Sequence, residues 1–223
     1  METIPLRAAS IGAQVHQQLR DAIVRTELKP GTALSEAEIA ARYEISRQPV
    51  REAFIRLAQE YLVEIRPQRG TFVRRIVVSE VLDARFVREA IEVAVAREAA
   101  SRADAAGIAR LQSAVAAQGL ARNNAEFLAA DEAMHREIAV IAGREAAWRV
   151  VDQVKAQMDR MRYLSYQDVS PTDRLISQHR SIVEAIAAHD AERAEAAVRE
   201  HMADILQQLP QLAQRYPEMF EGA

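Results

Sequence analysis

The 223-residue sequence has no cysteine, only seven glycines and 5% aromatic residues, and each shortage narrows the possibilities. Without thiols, disulfide bonds and thiolate metal sites are excluded. No apolar run approaches the length of a membrane span, and residues 1–10 lack the apolar core of a signal peptide. We therefore expect a cytoplasmic protein with no membrane partner. Few glycines and aromatics beside many alanines favour packed helices.

Charge is distributed unevenly along the chain. Residues 1–78 carry 12 Lys and Arg against 9 Asp and Glu, a net charge of +3, whereas the remainder carries 17 against 23, a net charge of −6. A basic N-terminal part beside an acidic remainder is typical of a separate nucleic-acid-binding domain. We predict two domains, residues 8–76 and residues 78–215.

The basic part contains two short amphipathic segments joined by a tight turn. The first runs from Glu36 to Arg42, and the second follows Ser46, whose hydroxyl is a candidate helix N-cap. Pro49 fits there because the first helical turn does not need its N–H. Arg47 and Arg51 lie four residues apart on the exposed face of the second segment. The pattern predicts a helix-turn-helix whose second helix contacts bases or phosphates through these arginines.

A basic hairpin follows. Residues 62–65 and 71–73 are predicted to form two short strands around a tip that contains Arg66, Arg69 and Gly70. Such a wing reaches the minor groove or the DNA backbone, so we expect Arg66 and Arg69 to contact phosphates.

These segments resemble the winged helix-turn-helix of the GntR family of bacterial transcription regulators. The resemblance implies double-stranded DNA as the partner, and it implies that Arg47, Gln48, Arg51, Arg66, Arg69 and Gly70 contact it. Gln48 replaces the family's usual threonine and is expected to alter base preference, whereas Tyr61 replaces a common glycine at the turn into the wing. The matching residues are Pro30-Gly31, Leu34-Ser35-Glu36, Ile39-Ala40, Ser46-Arg47, Pro49-Val50-Arg51-Glu52-Ala53, Leu57, Leu62-Val63 and Arg69-Gly70-Thr71-Phe72-Val73.

Helical periodicity accounts for the rest of the chain. An N-terminal helix is predicted to run to about Glu27. Asp104, Asn123 and Asp190 are candidate caps, and Gly143 is a candidate helix stop. The tail from residue 217 is expected to fray. The predicted C-terminal helices span residues 79–101, 104–121, 124–142, 144–166, 172–188 and 191–213.

Four ionisable side chains lie within apolar stripes of these helices. Because an unpaired buried carboxylate or imidazole costs on the order of a few kcal/mol, each needs a partner. They either bond to one another or converge on a divalent metal as three nitrogens and one oxygen, and the residues alone leave both open. His16 and His189 lack this setting and are expected at the surface. The four residues are Asp131, His135, His179 and His201.

Their spacing is similar to that of the FCD domain, the metal-binding helical domain of FadR-type GntR regulators. The resemblance covers about residues 78–215 and implies that all four residues ligate one divalent metal. Zinc is favoured, with manganese and nickel as alternatives, and open coordination positions would face a pocket for a small organic acid.

The segment from Val87 to Glu92 resembles the first-helix motif of that domain. The resemblance implies that Arg88 meets the carboxylate of the effector, although a helical arginine flanked by glutamates is more often a solvated surface residue. Arg144 stands where the family often has asparagine, and Gln178 replaces a common glutamate. These two departures affect groups expected around the ligands, while the four ligands are intact.

Three functions are compatible with these features. The first is a transcription regulator, a repressor by the commoner arrangement in the family, that binds a pseudo-palindromic operator as a homodimer. The second is a metal-dependent enzyme using the Asp/His site. The third is a DNA-binding protein with purely structural histidines. We favour the regulator and no enzymatic activity, because no general base is evident. The expected fold is mostly α, with an N-terminal winged helix-turn-helix, including a small β-hairpin wing, and a C-terminal all-α antiparallel bundle.

Overall fold

The structure of the protein is a computed structural model that describes residues 11–168 and 172–222. The chain divides into two compact units, Met1–Arg75 and Ile76–Ala223. The described residues form ten helices and one small antiparallel sheet of three strands. The predicted fold class is confirmed.

The N-terminal unit packs its first helix on its third. Residues spaced four apart on the first helix (Val15, Leu19 and Ile23) are buried, as are Val50 and Phe54 of the third. Strand β3 pairs antiparallel with both β1 and β2. The elements are α1 (Ile11–Val24), β1 (Ala33–Leu34), α2 (Glu36–Arg42), α3 (Arg47–Gln59), β2 (Val63–Arg66) and β3 (Gly70–Val73).

Two features of this unit differ from the sequence expectation. Helix α1 ends at Val24, earlier than Glu27, because Thr26 adopts a left-handed conformation (φ 61°) and the Leu28 N–H bonds back to the Ala22 carbonyl. Strand β1 was not predicted, since two residues are too short to show an alternating pattern.

Two side chains of this unit, Ser46 and His16, also differ from the sequence expectation. Ser46 occupies the N-cap position of α3, but its hydroxyl makes no capping hydrogen bond. Pro49 explains this, because it stands three residues later, where a cap usually finds an N–H donor. His16 is half-buried, not at the surface, because its ring contacts Glu60 at 2.6 Å where α1 packs on α3. His189 is exposed, as expected.

The C-terminal unit is an all-α bundle in which each predicted cap is present. Asp104, Asn123 and Asp190 accept hydrogen bonds from backbone N–H groups of the turns they begin, and Gly143 (φ 66°) follows the third helix of the bundle. No helix among the described residues is long and apolar enough to cross a bilayer. The helices are α4 (Val78–Arg102), α5 (Ala105–Gly119), α6 (Asn124–Ile141), α7 (Glu145–Val154), α8 (Ala156–Asp168), α9 (Thr172–Ala187) and α10 (Ala191–Arg215).

The single helix predicted over residues 144–166 is wrong, because Lys155 separates α7 from α8. Lys155 is fully buried, and its ammonium contacts Glu132 and, at 2.6 Å, Asp159. The break turns α8 into the bundle, where Met158 and other residues around its whole circumference are buried. Hydrophobic periodicity does not show such a one-residue break, since helical spacing continues on both sides.

The expectation of a frayed tail after residue 217 is also wrong. Met219 and Phe220 are 3% and 0% exposed, and they pack in a cluster with Ile76 and Leu212. The Ile76 N–H donates to the Met219 carbonyl at 2.8 Å, and the Glu221 N–H donates to the Ile76 carbonyl at 2.9 Å. Two consecutive apolar residues were the signal that the tail returns to the core.

Candidate functional site

Three helices bring the four predicted ligands together. Asp131 and His135 lie one turn apart on α6, His179 lies on α9 and His201 on α10, and all four are buried. One ligand atom from each lies within 4.8 Å of the others. Atoms bound to one ion through bonds of about 2 Å are separated by roughly 3–4 Å. The spacing is therefore compatible with a single metal ion.

The orientation of the three imidazoles is set by oxygen acceptors. In each ring Nδ1 faces a side-chain oxygen, so Nδ1 carries the proton and donates it. The other nitrogen, Nε2, then carries a lone pair and points toward the centre of the cluster. This is the arrangement in which metal-ligating histidines are normally held. The pairs are His135 with Glu92 Oε2 at 2.6 Å, His179 with Gln118 Oε1 at 2.8 Å, and His201 with Gln178 Oε1 at 3.2 Å.

The inward-facing atoms lack donors of their own. His135 Nε2 and Asp131 Oδ1 have no hydrogen-bond partner among the described residues, and His179 Nε2 lies 3.4 Å from His201 Nε2. Lone pairs facing one another repel, and burying acceptors without donors is costly. A cation among the four atoms would satisfy all of them. The donor set therefore fits a divalent metal held by three nitrogens and one oxygen.

Burial keeps two of the rings neutral. It lowers the pKa of His179 to about 3, although Asp131 opposes the shift. Burial likewise holds the pKa of His201 well below its usual value, assisted by the neighbouring His179. Because a metal ion binds only deprotonated ligands, these neutral imidazoles can bind one without first losing a proton.

The carboxylate of the cluster is ionised despite being buried. Burial alone would raise the pKa of Asp131, but the Arg162 guanidinium holds it well below its usual range. Arg162 Nη2 donates to Asp131 Oδ2, which leaves Oδ1 facing His179 Nε2 at 3.3 Å. Thus one oxygen is fixed by an arginine and the other remains for a metal.

Arg88 is 1% exposed, so the reading of a helical arginine flanked by glutamates as a surface residue is wrong. Its Nε donates to Glu92 Oε1 at 2.5 Å. Burial opposes ionisation of Glu92, but Arg88 and His135 hold the pKa of that carboxyl well below its usual range. Arg88 also lines a narrow cavity beside Tyr166 and His201. The cavity has room for roughly one water molecule.

The two departures from the FCD pattern lie in different parts of the domain, Gln178 beside the histidine cluster and Arg144 on the surface. Gln178 uses its carbonyl for His201 and its amide for Asp204, at 2.9 Å, so a glutamine here still orients a ligand. Arg144 is exposed and forms a bidentate ion pair with Glu98, away from the cluster.

Sequence reasoning did not identify Glu92, Gln118 or Arg162. Glu92 was recognisable, because it follows Arg88 by four residues and so shares its face of α4. Gln118 and Arg162 carried no such signal, since their contacts join helices that are distant in the sequence.

The residues expected to contact DNA are solvent-exposed in the N-terminal unit. Arg47, Gln48 and Arg51 lie on the first turns of α3. Arg51 makes a bidentate pair with Glu36 of α2, at 3.0 and 2.9 Å. Gln48 donates to Glu52 at 3.2 Å. These contacts are exposed, so a DNA phosphate or base can replace them at little cost.

The other three residues expected to contact DNA lie in the wing, which is the hairpin of β2 and β3. Arg66, Arg69 and Gly70 are exposed, and Gly70 has a positive φ of 105°, a conformation that favours glycine. The Arg66 guanidinium lies 5.0 Å from the centre of the Phe72 ring and pairs with Glu64 at 2.9 Å. The hairpin therefore carries two cations at its exposed tip.

Comparison with known proteins agrees with this architecture. The family model for bacterial regulatory proteins of the gntR family matches residues 11–73, and the family model for the FCD domain matches residues 83–204. The chain is 38% identical over 213 residues to the HTH-type transcriptional repressor RspR of Escherichia coli (strain K12), covering 94% of this chain and 93% of the relative. The chain belongs to the GntR family. It is therefore a DNA-binding transcription regulator and not an enzyme.

Other GntR-family relatives resemble it over most of their length. The probable D-xylose utilization operon transcriptional repressor of Paenarthrobacter nicotinovorans is 31% identical over 206 residues, covering 90% of this chain and 89% of the relative. Among solved structures, E. coli McbR/YncC has a TM-score of 0.77 at 20% sequence identity, covering 94% of this chain and all of that one. This likeness shows that the fold is shared.

Proposed function

We propose that this GntR-family protein is a repressor whose operator affinity is controlled by a small organic acid bound beside a divalent metal. The observation that carries the proposal is the cluster of three imidazole Nε2 atoms and Asp131 Oδ1, in which each Nδ1–H is bonded to an oxygen. Purely structural histidines would be expected to satisfy both ring nitrogens. Two relatives, RspR and the probable D-xylose utilization operon repressor, are named as repressors, which supports repression.

In this proposal Asp131, His135, His179 and His201 hold the metal. Three nitrogens and one carboxylate oxygen favour zinc, with manganese or nickel as alternatives. When bound, the ion supplies a fixed positive charge to which an oxygen of an organic acid can bind. The ring orientations set by Glu92, Gln118 and Gln178 keep the three nitrogens directed at it.

Arg88 is proposed to bind the carboxylate of the acid. Because the adjacent cavity has room for little more than one water, entry of an acid requires Arg88, Arg162 or Tyr166 to move. Arg88 would then share its guanidinium between Glu92 and the ligand. The walls of the cavity belong to α4, α8, α9 and α10, so any such shift acts on these helices.

The start of the C-terminal unit is hydrogen-bonded to the tail that follows α10. This helix carries His201, and the tail that follows it pairs with Ile76, the first residue of the C-terminal unit. A displacement of α10 would thus reach the segment preceding α4. A coupling free energy of about 1–3 kcal/mol between effector and operator would change operator affinity by roughly 5–150-fold.

The N-terminal unit is proposed to read the operator. Arg47, Gln48 and Arg51 would lie in the major groove, while Arg66, Arg69 and Gly70 would contact the backbone beside it. A homodimer would place two such units on the half-sites of a pseudo-palindromic operator, and it would act in the cytoplasm.

The test is operator affinity measured by gel shift during titration with organic acids, with zinc-loaded and chelator-treated protein. We expect an active acid to weaken operator binding roughly 5–150-fold only when metal is present. Asp131→Ala should abolish this response, and Asp173→Ala, which removes an exposed carboxylate from α9, should keep it. An equal response in Asp131→Ala would show that the cluster is only structural.

A further inference from the structure

The second residue of α3 offers both hydrogen-bond donors and an acceptor. Gln48 is exposed and lies in the sequence between Arg47 and Arg51, whose guanidinium groups only donate. Donors alone suit a phosphate, or guanine, which presents two acceptors in the major groove. A side-chain amide adds an acceptor to this surface. Gln48 can therefore recognise a base that the two arginines do not match.

The orientation of the Gln48 amide is set by Glu52, one turn later on α3. Gln48 Nε2 donates to Glu52 Oε1 at 3.2 Å, and because a carboxylate only accepts, the amide nitrogen and not its oxygen must face Glu52. One of the two N–H groups of Nε2 is thereby used. Among the described residues Gln48 has no further hydrogen-bond partner, so the other N–H and the amide oxygen are available to a base.

Glu52 lies against the start of α1. A Cβ placed on Gly12, in the first turn of α1, would lie 3.6 Å from Glu52 Oε2 and 3.4 Å from the Pro49 carbonyl oxygen. The glycine therefore lets the start of α1 approach α3 closely. The positive end of the α1 dipole attracts the Glu52 carboxylate through Oε2, while Oε1 accepts from Gln48.

Of the four bases, adenine matches the groups of Gln48 that are available. In the major groove adenine presents an acceptor at N7 beside a donor at N6, and one N–H and the amide oxygen can engage both together. Guanine presents two acceptors, so one of them would face the amide oxygen. Cytosine presents only a donor, and thymine an acceptor beside a methyl group, so each can form one bond.

We propose that Gln48 is a specificity-determining residue that reads one adenine in each half-site of the operator, and that Glu52 is a positioning residue for its amide. This inference rests on the proposed function, from which it takes the place of α3 in the major groove. It adds the base that one residue recognises. A bidentate contact of this kind discriminates against another base by about 5–150-fold.

The test starts from a pool of random-sequence DNA, from which full-length protein selects its site. Gel shifts then compare the selected site with each of its single-base-pair variants. Each half-site is expected to contain one A·T pair whose replacement lowers wild-type affinity by about 5–150-fold, and in Gln48→Ala this loss should shrink to about threefold or less. Losses at the other positions should be unchanged. Gln59→Ala, which removes an exposed glutamine at the end of the same helix, should keep the wild-type preference.

Three further variants separate base recognition from a structural effect on the helix. Gln48→Lys offers donors only, so it should move the preference at this position from adenine to guanine. Glu52→Ala should reduce the preference for adenine, because the amide of Gln48 loses the acceptor that orients it. Glu52→Gln should keep the preference, since its amide oxygen can still accept from Gln48.

The outcomes distinguish this inference from the proposed function. If Gln48→Ala or Gln48→Lys keeps the full preference for adenine, or if the position that Gln48→Ala affects prefers another base, the inference is overturned while base contacts by Arg47 and Arg51 still stand. An unchanged preference in Glu52→Ala overturns the positioning role. If Arg47→Ala, Arg51→Ala and Gln48→Ala all leave the preferences of the selected site unchanged, both this inference and the operator contacts of the proposed function fail.

Discussion

His135 Nδ1 lies 2.6 Å from one carboxylate oxygen of Glu92, and the other oxygen of Glu92 accepts from Arg88 Nε at 2.5 Å. A single buried carboxylate thus joins the arginine expected to bind an effector to a residue expected to bind a metal. Glu92 has a lowered pKa, so it is ionised and can orient both groups at neutral pH.

Glu92→Ala should weaken metal binding by about 10–100-fold, because His135 would lose the acceptor that fixes its orientation. The measurement is competitive titration of zinc against a chromophoric chelator. Glu89→Ala is the matched control, since Glu89 lies on the same helix but pairs with Arg85 and Arg199. Equal zinc affinity in Glu92→Ala and the control would mean that Glu92 does not support the ligand.

Arg88→Lys should keep the metal but weaken the binding of an effector acid. Lysine retains the positive charge beside Glu92, whereas it lacks the planar fork that holds a carboxylate through two bonds. We expect an effector affinity about tenfold lower at nearly unchanged zinc content. Arg85→Lys, one turn earlier on α4, serves as the control for a lysine in this helix. A variant that loses zinc and effector together would place Arg88 in the support of the metal alone.

Arg47→Ala and Arg51→Ala should each weaken specific operator binding by about 5–150-fold. Arg69→Ala should instead weaken binding to all sequences alike and reduce the dependence on salt. Gel shifts on operator and unrelated DNA at two salt concentrations distinguish these effects. Arg42→Ala, an exposed change on α2, is the control. Wild-type operator affinity in both α3 variants would contradict their assignment to base contacts.

Phe220→Ala should destabilise the C-terminal unit by about 3–5 kcal/mol, because a fully buried aromatic side chain leaves a cavity. Thermal unfolding followed by the fluorescence of Trp148, the one tryptophan of the chain, reports on this unit. Glu218→Ala changes an exposed residue of the same tail and should unfold like the wild type. Coincident unfolding curves for Phe220→Ala and Glu218→Ala would show that the tail adds no stability.

The sequence was sufficient for features that local chemistry determines. Apolar periodicity located the helices, and Asp104, Asn123 and Asp190 cap them as expected. The convergence of Asp131, His135, His179 and His201 was also foreseeable, because each interrupts an apolar stripe that has to face the same core.

Features that depend on tertiary contacts were not foreseeable in the same way. The break at Lys155 depends on Glu132 and Asp159, which local spacing does not bring together. Gln118 meets His179 across 61 residues, and no pattern links them. Arg88 is buried with its partner Glu92, which lies four residues later on the same helix. The sequence contained this spacing, but arginines are exposed so commonly that the spacing alone did not predict burial.

The most direct test of the metal centre is the amount of divalent metal bound per chain, determined by elemental analysis after dialysis against a weak chelator. The wild-type protein is expected to retain about one ion per chain, and His179→Ala to retain about a tenth of that or less. His189→Ala, an exposed histidine that follows α9, should match the wild type. A wild-type protein that holds no metal, or His179→Ala with the full amount, would contradict a metal centre at these four residues.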